Sequence, residues 1–241
     1  MTTARSTETS FARRASALLL GLTVAGVVAW AVLSFPTTAP GLIGPSLEQL
    51  EKSGVSNPVT AAVLNYRGYD TLLEIGVLLL AVLGVWSIAK ADQSSDVLPA
   101  GPVLLAFLRL VLPLMVLIAG YLLWIGAFAP GGAFQAGAVL GGAILLWLLA
   151  HGGRTRLPSE AWLRGLLALG LLVFIAVGTG VMAAGGTLLE YPPAHAATLI
   201  LVIESAALIS IALTLAALFL GGKPREEFAP AEPSARRRLT R

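Results

Sequence analysis

Arg67, Asp70 and Glu74 stand close together ahead of an aliphatic run, in the segment NPVTAAVLNYRGYDTLLEIGVLLLAVLGVWSIAK from Asn57 to Lys90. Residues three and four apart are neighbours on a helix surface, so all three project from one face, with the two carboxylates one turn apart. The opposite face is almost wholly aliphatic. In a dry site two such acids would not both ionise readily; they would share a proton, bind a cation or recruit Arg67. Ionisable groups beside hydrocarbon usually face protein or water and mark a proton or ion path. Asp70 and Glu74 are therefore the first candidate site, with Na+ as its candidate ion.

Glu204 is the second candidate, an isolated acid in LILVIESAALISIALTLAALF. Desolvation favours its neutral form unless a cation pairs with it, which suits proton or sodium transfer. Arg109, in another apolar run, is a further candidate for the ion path, beside two structural readings. It snorkels back to the headgroups, or it pairs with Glu204 across a helix bundle.

Composition says what must hold these groups. Of 241 residues, 56% are apolar and 12% charged, and mean hydropathy is +0.84, where a soluble domain carries about 25% charged residues. The expected fold is an all-α integral membrane protein. The absence of cysteine excludes disulfides, cysteine-held iron–sulfur clusters and thiolate zinc sites. The two histidines, His151 and His195, fall in a loop and near a span end, which disfavours haem or a histidine-rich metal site. No nucleophile motif, phosphate loop or nucleotide fingerprint is present, and the glycines lie within apolar spans, so no independent enzyme site and no cofactor beyond a bound Na+ are expected. A redox step, if there is one, falls to a separate protein of the assembly.

Six spans of the length needed to cross a bilayer of roughly 30 Å follow along the chain. Ala15 to Phe35 is the first; its apolar core exceeds the roughly 7–15 residues of a signal peptide, which argues against that alternative. Pro36, Pro40, Gly41, Gly44 and Pro45 make a breaker-rich loop, and Ser46 to Ser53 suggests a short surface helix. Asn57 and Pro58 read as N-cap and first helical residue. The second span then has two readings. It runs unbroken from Pro58 to Lys90, carrying the acids deep, or Gly68 breaks it and the acids sit in a first turn near Tyr69, where the helix dipole stabilises them without any function.

Ala91 to Gly101 is a polar connection. Pro102 to Phe128, with Pro113 as an expected kink, leads through the tight turn Ala129 to Ala133 into an antiparallel span, Phe134 to Ala150. Gly137, Gly141 and Gly142 in that span suit close packing against protein. The basic loop His151 to Glu160, the span Ala161 to Ala184, the loop Gly185 to Pro193 and the span Ala194 to about Leu220 complete the set. A basic tail, 223–241, is expected to be disordered. Lysine and arginine concentrate so that both termini read as cytoplasmic, which fits six crossings, and the net charge of +3 reflects topology and not nucleic-acid binding.

The order Asn-Pro-Val-Thr, then Tyr66-Arg67-Gly68-Tyr69-Asp70-Thr71-Leu72-Leu73-Glu74, resembles the C-terminal module of the large A subunit of Mrp-type multisubunit Na+/H+ antiporters, also found as a small subunit of membrane-bound hydrogenases. The segment PGGAFQAG, with Pro130, Gly131, Gly132, Phe134 and Gln135, is similar to the B subunit of the same antiporters. The chain thus looks like a fusion, with a two-span module over 1–95 and a four-span module over 96–222.

The resemblance implies a membrane subunit of a cation/proton antiporter-like complex in a bacterial inner membrane, with other membrane subunits as partners. In it Asp70 and Glu74, aided by Arg67, belong to the ion path, and Glu204 stands where an acid is common in the last helix. It leaves open an ion-translocating membrane protein that is coupled to a redox or carbon-handling partner, and a packing subunit with inert acids. Two departures are visible. Ala127 and Ala133 stand where the family usually has a histidine and a third glycine, and the long antiporter-like subunit must come from partners.

Overall fold

The computed structural model describes residues 2–35, 41, 43–88, 100–151 and 159–221. The polar connection after Ile88, most of the basic loop after His151 and the C-terminal tail lie outside them. The described residues are nearly all helical, with no strand. The chain divides into two units, Met1–Gly44 and Pro45–Arg241.

The first unit carries α1, Thr2–Leu33. Its Arg14–Leu33 portion is long and apolar enough to cross a membrane, and Leu18, Leu22 and Trp30 along it are exposed.

The remaining elements are α2, Ile43–Glu48, a 3-10 turn Leu50–Ser53, α3, Pro58–Thr60, a π-helical turn Ala61–Tyr66, α4, Gly68–Ile88, α5, Pro102–Ile125, α6, Ala133–Ala150, α7, Glu160–Ala183, and α8, Ala196–Leu220. The expected surface helix begins earlier than Ser46, because Pro45 falls in the first turn of α2, where no N–H is needed. Pro113 lies inside α5 without ending it. With α1, five of these helices make six that are long and apolar enough to span a membrane: α4, α5, α6, α7 and α8. The protein is a multi-pass membrane protein.

Helix α8 is the axis of the second unit. Ile203, Glu204, Ala207, Ser210, Ile211, Ala212 and Thr214 are all buried, while Leu201, Val202 and Ile209 leave one face exposed; a helix buried over most of its circumference belongs inside a bundle. It packs on α6, α7 and α4. Its approach to α6 is close: a Cβ at Gly137 would lie 2.8 Å from Ile211 Cγ2, and one at Gly141 2.9 Å from the Ala212 carbonyl oxygen. This is the small-residue packing expected of that span. A hydrogen bond from the Ser210 hydroxyl to the Leu167 carbonyl ties α8 to α7.

The second span is broken, which is one of the two arrangements the sequence allows. Arg67 leaves helical geometry at φ −122° and ψ 31°, and its N–H bonds back five residues to Ala62 O at 2.8 Å. A new helix starts at Gly68, and the Thr71 hydroxyl recovers the loosened Val63 carbonyl at 2.6 Å. Leu189, at φ +64°, packs against the new helix start, where a Cβ on Gly68 would stand 3.2 Å from Leu189 Cδ1.

Candidate functional site

Asp70 lies in the first turn of α4 and Glu74 one turn further on. Arg67 precedes the helix, and its Nε donates to Asp70 Oδ2 at 2.6 Å in an ion pair whose side chains are 73% and 49% exposed. A pair so open to solvent contributes little to stability. Glu74 is exposed and has no hydrogen-bond partner among the described residues. All three line a groove of about 670 Å³ whose walls are α4 and α6 and whose floor is Ile211 and Leu215 of α8.

Glu204 is only 7% exposed. Its partner is the first residue of α6: Ala133 N–H donates to Glu204 Oε1 at 3.4 Å, so the carboxyl sits at the positive end of the helix dipole. No ion pair joins it to Arg109. Arg109 is exposed and lies near the start of α5, whereas Glu204 meets the turn that follows the end of α5. The cross-bundle pair considered from the sequence is not formed, because a backbone amide takes the place of the cation.

The PGG turn makes this contact. Gly132 adopts φ +106° and ψ −172°, a region that essentially glycine alone occupies, and a Cβ there would lie 2.6 Å from Glu204 Oε1. The turn is also recessed. Helix α6 has 18 residues and α8 has 25, so α6 is about 10 Å shorter at 1.5 Å per residue. Glu204 is itself about 12 Å from the first residue of α8 by the same measure.

The Asn57–Thr60 motif supports the recessed turn. Asn57 Oδ1 accepts from Val59 N at 3.0 Å, the expected N-cap, while its Nδ2 donates to Gly126 O at 2.8 Å and Ala129 O at 3.0 Å. Thr60 Oγ1 donates to Gly126 O at 2.6 Å, and Ser56 Oγ to Ala127 O at 3.2 Å. The Asn-Pro-Val-Thr motif thus clasps the turn that leads into PGGAFQAG. Sequence reasoning finds the cap and misses the clasp, for which it holds no local signal.

Asn57 and Thr60 are both buried. Asn57→Ala removes a cap and two donors to carbonyls, an expected loss of about 2–4 kcal/mol. Thr60→Val leaves Gly126 O its bond from Asn57 and is expected to lose roughly 1 kcal/mol. Thermal unfolding of the detergent-solubilised protein checks the order; equal midpoints for Asn57→Ala and the parent protein would contradict the clasp.

The carboxyls are connected through space. Glu74 and Glu204 both line one cavity of about 230 Å³, lined also by Val63, Thr71, Gly132 and Gln135 among others. Phe134 lines this cavity and also the larger groove, as does Glu74. Pro130 is in the turn, Gly131, Gly132 and Gln135 line the inner cavity, and Arg109 lines neither space. Tyr191, unnoticed in the sequence, is buried nearby in the core with no hydrogen-bond partner for its hydroxyl among the described residues. Burial pushes that phenol above its ordinary range. In the same loop, hydrogen bonds from the Thr187 hydroxyl and then its backbone N–H hold the Glu190 carboxyl below the usual carboxylate range. Among the described residues no group of three or more histidine or acidic side chains is placed to hold a metal ion.

Comparison with known proteins bears on the fold and family of the chain. The chain is similar to a single chain of the membrane-bound sulfane sulfur reductase, an archaeal respiratory membrane complex, at 25% identity and a TM-score of 0.61, over 87% of this chain and 97% of that one. Its fold also matches part of a chain in the Mrp complex from Dietzia sp. DQ12-45-1b, with 24% identity and a TM-score of 0.62, over 95% of this chain and 27% of that one. An uncharacterized protein of Methanocaldococcus jannaschii is 28% identical over 153 residues, 55% of this chain and 58% of that protein, so the match spans less than two thirds of its length. The profile of the family described as "Domain related to MnhB subunit of Na+/H+ antiporter" matches residues 103–223. That is half of the chain, and it contains the PGG turn, Phe134 and Glu204; the chain belongs to the family of domains related to the MnhB subunit of Na+/H+ antiporters.

Proposed function

We propose that this chain is a membrane subunit of a multisubunit cation/proton antiporter-like complex, with Asp70, Glu74 and Glu204 contributing carboxyl groups to an Na+ or H+ path. The observation that carries this reading is the shared cavity. Glu74 at the open groove and Glu204 at the α6 N-terminus come from opposite halves of the chain and line one space. Glu74 has one face in each compartment, so it is the group able to hand a proton or cation inward. Arg67 holds Asp70 at the entrance, where Asp70 and Glu74 are the candidate Na+ ligands. Arg109, exposed and outside both spaces, serves as a snorkelling residue near the start of α5.

Charged groups are not left to lipid. The open groove with Arg67, Asp70 and Glu74 is accordingly the face that meets water or the other membrane subunits of the assembly. Residues 1–95 form the module resembling the C-terminal region of the A subunit, and 96–222 the module resembling the B subunit. The fold match of 95% of this chain within one Mrp-complex chain supports their occurrence as a continuous unit. The resemblance to the antiporter subunits implies a bacterial plasma-membrane protein, and the distribution of lysine and arginine supports both termini cytoplasmic.

A second reading is an ion-translocating membrane protein that is coupled to a redox partner. It is favoured by the likeness to a whole chain of a respiratory complex, 97% of which is covered. Activity of the complete assembly separates the readings, since only the second ties ion flow to electron transfer.

Replacing Glu74 with Gln tests what the two readings share. Sodium-dependent proton flux in vesicles carrying the whole complex is expected to fall roughly 10²-fold, the size of loss when a positioned proton carrier is removed. Unchanged flux in an assembled complex would instead make the acids inert and leave the chain a packing element.

A further inference from the structure

We propose that Phe134 is a gate between the two compartments, standing beside Glu74 on the boundary between the open groove and the cavity holding Glu204. The proposal rests on the reading of Glu74 and Glu204 as relay groups, but its geometry stands apart from that reading. Phe134 lines both the groove of about 670 Å³ and the cavity of about 230 Å³. The only other described residue to do so is Glu74, a flexible charged side chain with no hydrogen-bond partner among the described residues. The ring is half-buried and sits in the first turn of α6, directly after Ala133, whose N–H holds the Glu204 carboxyl.

Its surroundings give it freedom on one side and a fixed base on the other. The backbone under Phe134 is fixed by the turn, where Gly132 N–H donates to Leu122 O at 2.8 Å and Ala136 N–H to Gly132 O at 3.1 Å. Towards the groove the ring meets open space between α4 and α6. A rotamer change carries an aromatic side chain between two staggered positions without moving the backbone. With the ring as found, the inner cavity is walled by aliphatic groups such as Val63, Ile75 and Ile203, with Thr71, Glu74, Gln135 and Glu204 as its polar side chains. Glu74 is then the other side chain that reaches both spaces; with the ring swung into the groove, the groove and the cavity become continuous. The gate thus decides when the groove reaches Glu204 directly and not through Glu74, and a path that opened permanently would leak.

The chain has no cysteine, so single-cysteine reporters read accessibility cleanly. Ala138 lines the groove and Ala207 the inner cavity. In the intact complex, Ala138→Cys is expected to react quickly with a charged methanethiosulfonate reagent whether or not Phe134 is present. Ala207→Cys is expected to react slowly with Phe134 in place and about tenfold faster with Phe134→Ala, the ratio that a change of roughly 1.4 kcal/mol in opening free energy produces. Phe134→Leu should fall between them, and constant labelling of Ala138→Cys shows that the variants are folded. Equal labelling of Ala207→Cys with and without Phe134 would overturn the gate. Labelling does not depend on transport, so the gate and the ion path fail independently: loss of flux in Glu74→Gln bears on the path alone.

Discussion

Gly132→Ala is expected to destabilise the second unit by about 3–5 kcal/mol and to deplete the protein from the assembled complex. The conformation at Gly132, φ +106° and ψ −172°, costs a residue with a Cβ roughly 1–3 kcal/mol. The added carbon would also stand 2.6 Å from Glu204 Oε1, too close for both to stay. If Glu204 moves, a buried acid loses its bond from Ala133 N–H, at a further cost of about 1–3 kcal/mol. If the turn moves, it leaves the clasp formed by Asn57 and Thr60. Gly185 separates strain from crowding: it has φ +96° but nothing within 4 Å of its Cβ position. Gly185→Ala is therefore expected to cost only the strain, and thermal unfolding of the two variants side by side measures the difference. Equal stability of Gly132→Ala and the parent protein would refute the account of the turn.

That turn also shows what the sequence makes legible. Six apolar stretches announce six spans because length and hydropathy are local properties, and the described residues hold six helices of that kind. Asn57 announces a cap because the bond it accepts from Val59 is two residues away. Its donations to Gly126 and Ala129 cross 69 and 72 residues, and nothing in one chain's letters pairs those positions. The break before Gly68 is an even choice in the sequence for the same reason. The Leu189 side chain that packs against Gly68 arrives from a loop more than a hundred residues later. Glu204 is a different case. A search for its partner among side chains reaches Arg109, because a backbone N–H at a helix start carries no letter of its own, and the partner is Ala133 N–H.

The same contact defines the largest functional effect expected. Glu204 has two conceivable uses, as an anchor for the α6 N-terminus or as a carrier of protons or cations. Only an acid serves the second, whereas an amide of the same shape serves the first. Glutamine keeps the size of the side chain and an oxygen that accepts from Ala133 N–H, but it holds no exchangeable carboxyl proton and no charge. Leucine keeps neither, and Glu204→Leu should lose stability as well as transport.

The most direct measurement is therefore sodium-dependent proton flux in vesicles containing the complete complex with Glu204→Gln, beside its assembly and thermal unfolding. The account predicts an assembled complex, unfolding close to that of the parent, with flux reduced roughly 10²-fold. Full flux through an assembled Glu204→Gln complex would contradict it and leave Glu204 as an anchor for the turn.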